Sequence, residues 1–433
     1  MSATLDFFFL IAVAIIWFMI AYQFVLTIGG FVLYRRSWRE RDEILASCQE
    51  LPAVTILVPA HNEEKVIEST VRSLLSLDYP AERLKVLVID DASTDATPLL
   101  LDRLARCNPR VRVLHRSPEE GGKGKSAALN AGLQCSEDEF LAIYDADNRP
   151  EKDSLKLLVA HLIRYPELAA AHGKFRTGNR NRNFLTRCIN VEGLSFQWIV
   201  QAGRWQLLRV ATLPGTNFVI RRSALQRVGG WDEMALTEDA ELSIRLYQHG
   251  YKIAFVPYAV TWEQEPETFK VWLKQRTRWV RGNNYVIAKF ARSSLRWQTK
   301  TIALEMLYTL SLYYLFLLAL LISDTIFFLG LFHIKTVSIY GPYTEVWLLA
   351  VALYLLEIQL ALSFENEASV GNLMISFVMY FTYVQAWLFV VFRAFYADFI
   401  RRQERVWDKT ERFDSVVEPQ VQESSTSALP PGR

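Results

Sequence analysis

The chain has 433 residues, 51% hydrophobic and 13% aromatic, yet its mean hydropathy is only +0.10, so its apolar residues must be gathered into separate segments. A formal net charge of +2 excludes a nucleic-acid binder built on a dominant basic surface. The length exceeds one ordinary domain, and Cys48, Cys107, Cys135 and Cys188 lack metal-ligand spacing, which fits reduced thiols in a cytoplasmic domain.

Phe7 to Tyr34 is uncharged, with Gln23 its only strongly polar residue, and exceeds the roughly 20 residues that cross a bilayer. The preceding residues lack the basic region of a secretory signal. Arg35, Arg36, Arg39 and Arg41 follow it, so residues 1–36 read as a transmembrane helix with its amino terminus outside and the next region in the cytoplasm.

Residues 51–298 alternate short apolar runs with helical patterns. Strands are predicted at Val54 to Val58, Lys85 to Ile89, Val111 to Leu114 and Phe140 to Ile143, with helices at Glu64 to Leu77, Thr97 to Arg106 and Ser126 to Gln134. This alternation predicts an α/β domain with a doubly wound, mostly parallel sheet, which binds ligands at the carboxyl ends of its strands. His61-Asn62-Glu63, Asp90-Asp91, and Asp145 with Asp147 fall at those ends.

Residues 301–400 hold three apolar segments, Met306 to Ile322, Val346 to Phe364 (interrupted by Glu357 and Gln359) and Leu373 to Phe392. Three crossings would put Arg401, Arg402, Arg405, Lys409 and Arg412 outside, against the positive-inside rule. One of the three is therefore expected to lie along the interface, with the aromatic Leu373 to Phe392 as the candidate, leaving residues 401–433 as a basic cytoplasmic tail that is disordered beyond Glu418.

Several motifs carry chemistry. Asp145-Ala146-Asp147 offers two carboxylates that, on one face of a strand end, could reach one hard divalent ion; the alternative is a capped turn. Asp90 and Asp91 could accept from ribose hydroxyls or a base N–H, or cap a strand-to-helix turn. Gly121 to Ser126 sets glycines and two lysines before a helix, which suits diphosphate but lacks P-loop spacing. Thr237-Glu238-Asp239 either caps a helix or supplies a general base. Gln275-Arg276-Thr277-Arg278-Trp279 reads as an interfacial anchor or part of a site.

In this order, these residues resemble the membrane-bound family 2 glycosyltransferases, the processive polysaccharide synthases, over about Leu51 to Phe290. The resemblance implies a GT-A-type fold flanked by transmembrane helices. It implies that Asp91, with Glu63 and Asp90 nearby, holds uridine and that Lys125 faces the diphosphate. Asp145 and Asp147 would bind Mg²⁺ or Mn²⁺, with Asp145 also in the donor site. Asp239, next to Glu238, would be the catalytic base. Gln275, Arg278 and Trp279 would shape the donor and acceptor sites, and Gly215 and Thr216 would meet the growing chain. Trp407, Thr410 and Arg412 are similar to the gating loop that closes over UDP. The expected activity is inverting, processive synthesis of a β-linked polysaccharide, with UDP-N-acetylglucosamine as preferred donor. The bilayer and an accessory export protein are expected partners; nucleic acid is not. A non-processive transferase acting on a membrane lipid is the nearest alternative and a non-catalytic scaffold the remote one.

Overall fold

The computed structural model describes residues 2–48, 50–294, 307–334, 341–404, 410, 411 and 413. Its centre is an eight-stranded sheet in the order β3-β2-β1-β4-β7-β6-β8-β5. The strands are β1 (Val54–Ala60), β2 (Leu84–Asp90), β3 (Val111–His115), β4 (Phe140–Ile143), β5 (Arg149–Pro150), β6 (Leu168–Thr177), β7 (Phe218–Arg221) and β8 (Lys252–Glu263). β1 runs parallel to β2 and β4, β2 to β3, and β6 to β8. The Val, Ile and Leu side chains of β1 and β2 are almost wholly buried, as expected of strands covered on both faces.

Helices join the strands: α2 (Ile67–Leu75), α3 (Thr97–Cys107), α4 (Lys125–Gln134), α5 (Ser154–Arg164), α6 (Phe184–Ser195), α7 (Ala202–Leu208), α8 (Arg222–Arg227), α9 (Glu238–Gln248) and α10 (Phe269–Ser294). The sheet departs from a wholly parallel one at β7, which is antiparallel to both β4 and β6, and at β5, antiparallel to β8. This reversal positions the site. Ile143, at the carboxyl end of β4, pairs with Phe218 at the amino end of β7, so the Pro214–Asn217 loop lies beside Asp145.

The first helix, α1 (Ser2–Ser47), continues past the predicted boundary at residue 36. At 1.5 Å per residue it is about twice as long as the hydrocarbon core is thick, so its basic end extends along the α/β domain. Arg41 Nη2 there meets Asp153 Oδ2 at 2.5 Å. Glycines permit the close docking of α1: a Cβ on Gly30 would lie 2.0 Å from the Trp198 carbonyl oxygen, and one on Gly203 2.2 Å from that of Leu26.

Among the described residues, four helical segments are long and apolar enough to cross a membrane: Asp6–Ser47, Leu307–Leu331, Tyr343–Ser363 and Val370–Ile400. Within them lie α11 (Leu317–Leu331), α12 (Tyr343–Ser363), α13 (Val370–Phe381) and α14 (Tyr383–Phe395). The last segment breaks at Thr382, whose backbone leaves the helical region at φ −124° and ψ −75°. Both of its ends meet the α/β domain. Just before α13, Glu365 pairs with Lys174 and, at 2.9 Å, with Arg176, while Glu367 pairs with Arg176 and Arg180. After α14, Asp398 accepts from Arg281 at 2.7 Å and Asn284 at 2.9 Å. The segment expected to lie flat is a helix, break and helix, and at the break Tyr383 also meets the domain through Glu192 and Trp272. Arg401 and Arg402 follow directly on the contact that Asp398 makes with the α/β domain.

Candidate active site

The carboxyl ends of β1, β4, β6 and β8 and the amino end of β7 meet at one sheet edge and open into a cavity of about 660 Å³. At its floor, Lys125 opens α4 after Gly124, whose φ of 101° is open to glycine at little cost. Lys125 Nζ lies 2.7 Å from Asp145 Oδ1 and 3.2 Å from Glu238 Oε1, and donates to the Gly215 carbonyl at 2.8 Å. Burial alone would lower the Lys125 pKa, but Asp145, Glu238 and Asp239 outweigh it and hold the ammonium charged. One cation therefore faces three acids.

Asp239 stands in the first turn of α9, where Ala240 N–H donates to its Oδ1 at 2.8 Å. Burial first and the adjacent Glu238 second push its pKa up to about 7, against the opposing pull of Lys125. A carboxylate with that affinity for a proton suits a general base at neutral pH. Thr237 was a capping candidate, but its hydroxyl makes no cap bond to the helix. Gly215, at φ 82°, sits so near that an added Cβ would be 3.1 Å from Asp239 Oδ2.

The Asp145-Ala146-Asp147 pair is not on a strand face, because β4 ends at Ile143 and the acids occupy the turn that follows. Asn148 closes this turn: its side-chain oxygen accepts from Asp145 N–H at 2.8 Å and its own N–H donates to the Asp145 carbonyl at 3.1 Å. Asp145 and Asp147 still line the same cavity, and Asp147 Oδ2 accepts from Gln264 N–H at 3.3 Å. Among the described residues no group of three or more His, Cys, Asp and Glu could hold a metal. Two carboxylates in an acid-rich pocket nevertheless fit Mg²⁺ or Mn²⁺, which completes its shell with water and phosphate oxygens.

The other predicted residues divide. Glu63, Asp91, Gln275, Arg278, Trp279 and Thr410 line the cavity, as does His61, whose Nδ1 lies 2.8 Å from the Asp91 carbonyl oxygen. Asp91 is bound by Arg116 and by Gly124 N–H at 3.2 Å. Asp90 is absent from the cavity wall: Oδ2 is 2.8 Å from His115 Nδ1, and Oδ1 accepts from Ser93 N–H at 3.0 Å, so it braces the turn. Thr216 lines the cavity, and its hydroxyl donates to Asn148 and accepts from Asp145 N–H at 3.0 Å, so it also braces the aspartate turn. Trp407 and Arg412 lie outside the described residues.

Three contributors were not anticipated. The Gln264 side chain clasps the tail, donating to the Phe413 carbonyl and accepting from Phe413 N–H, both at 2.9 Å. Glu192 accepts from Arg276 at 2.8 Å, Tyr383 at 2.7 Å and Trp387 at 2.8 Å, and the Arg276 guanidinium lies 4.0 Å from the centre of the Trp279 ring. Glu357, read as an interruption, lines the same cavity between the apolar helices. Gln264 carried a readable signal, standing directly after β8 at the edge where the other site residues lie. Glu192 carried none.

A sheet edge with an acid pair, a lysine-held carboxylate cluster and a motif helix beside apolar helices is the architecture of a membrane-associated transferase with a GT-A-like fold. Residues 52–282 match the family model described as glycosyltransferase like family 2. The chain is 42% identical over 410 residues, 94% of its length and 98% of the other's, to the probable glycosyltransferase YdaM of Bacillus subtilis. It belongs to glycosyltransferase family 2 and is a transferase. It is also 33% identical to the beta-monoglucosyldiacylglycerol synthase of Synechocystis over 61% of this chain and 56% of that one. Identity to the poly-beta-1,6-N-acetyl-D-glucosamine synthase of Staphylococcus aureus is 28%, over 60% and 61%. Among solved structures, the mannosyltransferase of Pyrobaculum calidifontis in complex with GDP-mannose and Mn²⁺ shares the fold, with a TM-score of 0.54, 21% identity, and 84% of this chain and 99% of that one covered.

Proposed function

We propose that the chain is an inverting, processive glycosyltransferase that builds a β-linked polysaccharide from a UDP-sugar, preferably UDP-N-acetylglucosamine, with its α/β domain in the cytoplasm and its apolar helices in the cell membrane. The observation that carries this reading is the single cavity that begins at Lys125, Asp145 and Asp239 and continues between those helices to Glu357 and Met379. A product lengthened at Asp239 needs such a space directly ahead of it.

Uridine fits the part walled by His61, Glu63 and Asp91, and the diphosphate the part held by Lys125 and Arg278. Asp145 and Asp147 would hold Mg²⁺ or Mn²⁺, which when bound supplies positive charge to the leaving diphosphate. Lys125 and Arg278 add fixed positive charge at the same place. Gln275, Trp279, Gly215 and Thr216 would meet the acceptor. Asp239 takes the proton from the acceptor hydroxyl as its oxygen attacks the anomeric carbon and the bond to UDP breaks. One base serves one displacement, so the configuration inverts; a hydrolase working through two carboxylates would need a second acid flanking the bond. Thr410 on the cavity wall and the clasp on Phe413 support a tail that closes over the donor, with Trp407 and Arg412 as its expected contacts. An accessory export protein is the expected partner.

Likeness to the lipid glucosyltransferases named above favours a second reading, a single transfer to a membrane lipid. The test is full-length protein in nanodiscs with a panel of UDP-sugars and Mn²⁺ or Mg²⁺, following UDP release and product size. High-molecular-weight product from one donor supports the synthase, and a product of lipid size supports the second reading. No UDP release with any donor sinks both.

A further inference from the structure

Glu192 stands in the last turn of α6, lines the cavity, and keeps 25% of its side chain exposed. Among the described residues its Oε2 accepts from Arg276 Nη2 at 2.8 Å and from the Tyr383 hydroxyl at 2.7 Å, and its Oε1 accepts from Trp387 Nε1 at 2.8 Å. Trp272 fixes the direction of the Tyr383 bond. An indole N–H can only donate, and Trp272 Nε1 meets the Tyr383 oxygen at 2.9 Å, so the phenol keeps its own proton for Glu192.

Arg276, only 2% exposed, stands inside the motif helix α10. A buried guanidinium needs an anion, and Glu192 supplies one. What separates this pair from an ordinary staple is where the rest of the guanidinium goes. Its Nη1 donates to Gln275 Oε1 at 2.9 Å, and the group lies 4.0 Å from the centre of the Trp279 ring. A guanidinium carries donors only, so the Gln275 amide must turn its oxygen toward Arg276 and keep its NH2 for another partner. The attraction between the cation and the Trp279 face favours one placement of that ring. Gln275 and Trp279 both line the cavity. One planar cation thus sets an amide and a ring, and Glu192 sets the cation. A lysine could keep the ion pair but, as a point charge without a fork, could not serve all three partners together. Holding α6 against the apolar helices does not require Glu192, since from the same helix Arg187 donates to Asn372 at 2.9 Å and Asn190 to Glu367 at 2.6 Å.

We propose that Glu192 and Arg276 are positioning residues for transfer: Glu192 holds the Arg276 guanidinium, which fixes the faces that Gln275 and Trp279 turn toward the acceptor. The proposal rests on the transferase reading above, which gives Gln275 and Trp279 to the acceptor, and adds two residues to it. Tyr383 begins α14 directly after the break at Thr382, so the same carboxylate ties this setting to the apolar helices.

Two measurements on full-length protein in nanodiscs test it, and the first needs no turnover. The near-ultraviolet circular dichroism owed to Trp279 is read as the difference between each protein and the same protein carrying Trp279→Phe. That difference should fall by about half or more in Glu192→Gln and in Arg276→Lys, where the ring loses its fixed cation, and should persist in Arg187→Gln. The second measurement compares kcat, from UDP release, with UDP affinity, from equilibrium dialysis. Glu192→Gln and Arg276→Lys should each lower kcat on the order of 10²-fold, the cost of misplacing a group that holds substrate, while UDP affinity moves by less than about twofold. The double variant should lose no more than about threefold beyond either single change, because both act through one guanidinium. Arg187→Gln should leave kcat unchanged. A Trp279 signal that survives both Glu192→Gln and Arg276→Lys, losses in kcat that multiply in the double variant, or a UDP affinity that falls as far as kcat would each overturn the positioning role. Arg276→Lys keeps the ion pair, so it answers even where Glu192→Gln fails to fold. If wild-type protein releases no UDP with any donor, the transferase reading fails, and the dichroism still decides whether Glu192 and Arg276 position Trp279.

Discussion

The acids that end β2 and the acids around Lys125 sit at the same edge of the same sheet, but their charges are met in different ways. Asp90 and Asp91 are each bound on both oxygens by donors the fold holds in place: Ser93 N–H and His115 for one, Arg116 and Gly124 N–H for the other. Asp145, Glu238 and Asp239 share Lys125 as their close cation. An acid satisfied by fixed donors stabilises a loop. Acids left in excess hold capacity for a cation, a proton or a substrate, and perturbed titration gathers there.

Substitutions can break that contrast, and the largest effect belongs at Asp239. Asp239→Asn should lower kcat by about 10³-fold, within the span for loss of a general base, while UDP affinity in equilibrium dialysis moves by less than about twofold. Withdrawing divalent metal with EDTA, or Asp145→Asn with metal present, should cost roughly 10²-fold in UDP release, and only the first loss should be reversed by added Mn²⁺ or Mg²⁺.

The pH profile sharpens the comparison. With its pKa pushed up to about 7, Asp239 is protonated below neutrality and cannot accept a proton from the acceptor. The transfer rate should therefore fall about tenfold per pH unit below 7 and level off above it. A rate flat from pH 5 to 8 would remove Asp239 from the role of base.

Asp90, away from the cavity, should answer in stability. Asp90→Asn should lower unfolding stability by about 1–3 kcal/mol, the cost of an impaired buried hydrogen-bond pair, with a much smaller effect on kcat than Asp239→Asn. Its pH dependence has a definite sign. Burial alone would lower the His115 pKa, but hydrogen bonds to Asp90 and Asp102 outweigh it and raise it. A base raised on folding stabilises fully while protonated in both states and loses that contribution as pH rises through its folded pKa. The gap between wild type and Asp90→Asn, read by chemical denaturation, should be widest at acid pH and narrow on the alkaline side.

The same residues show how much the chain disclosed in advance. The first four strands were legible because each is a short Val, Ile and Leu run between turn signals, and the acids of the site stood at their ends. The later half of the sheet was not. β6 opens Leu168-Ala169-Ala170-Ala171, a run with no strand signature, and Pro257 interrupts β8. Nor does local pattern show that β7 runs backwards, which is what brings Thr216 to brace the aspartate turn. The docking of α13 and α14 on the domain rests on Glu365, Glu367 and Asp398 meeting arginines and a lysine far away in sequence, which no periodicity encodes.

The central claim is a single displacement driven by one base, and the anomeric configuration of the product tests it most directly. Product made in nanodiscs from a UDP-α-sugar and examined by proton NMR should carry only β linkages. An α linkage would require retention, and with it a second group acting at the anomeric carbon, which contradicts the role given to Asp239.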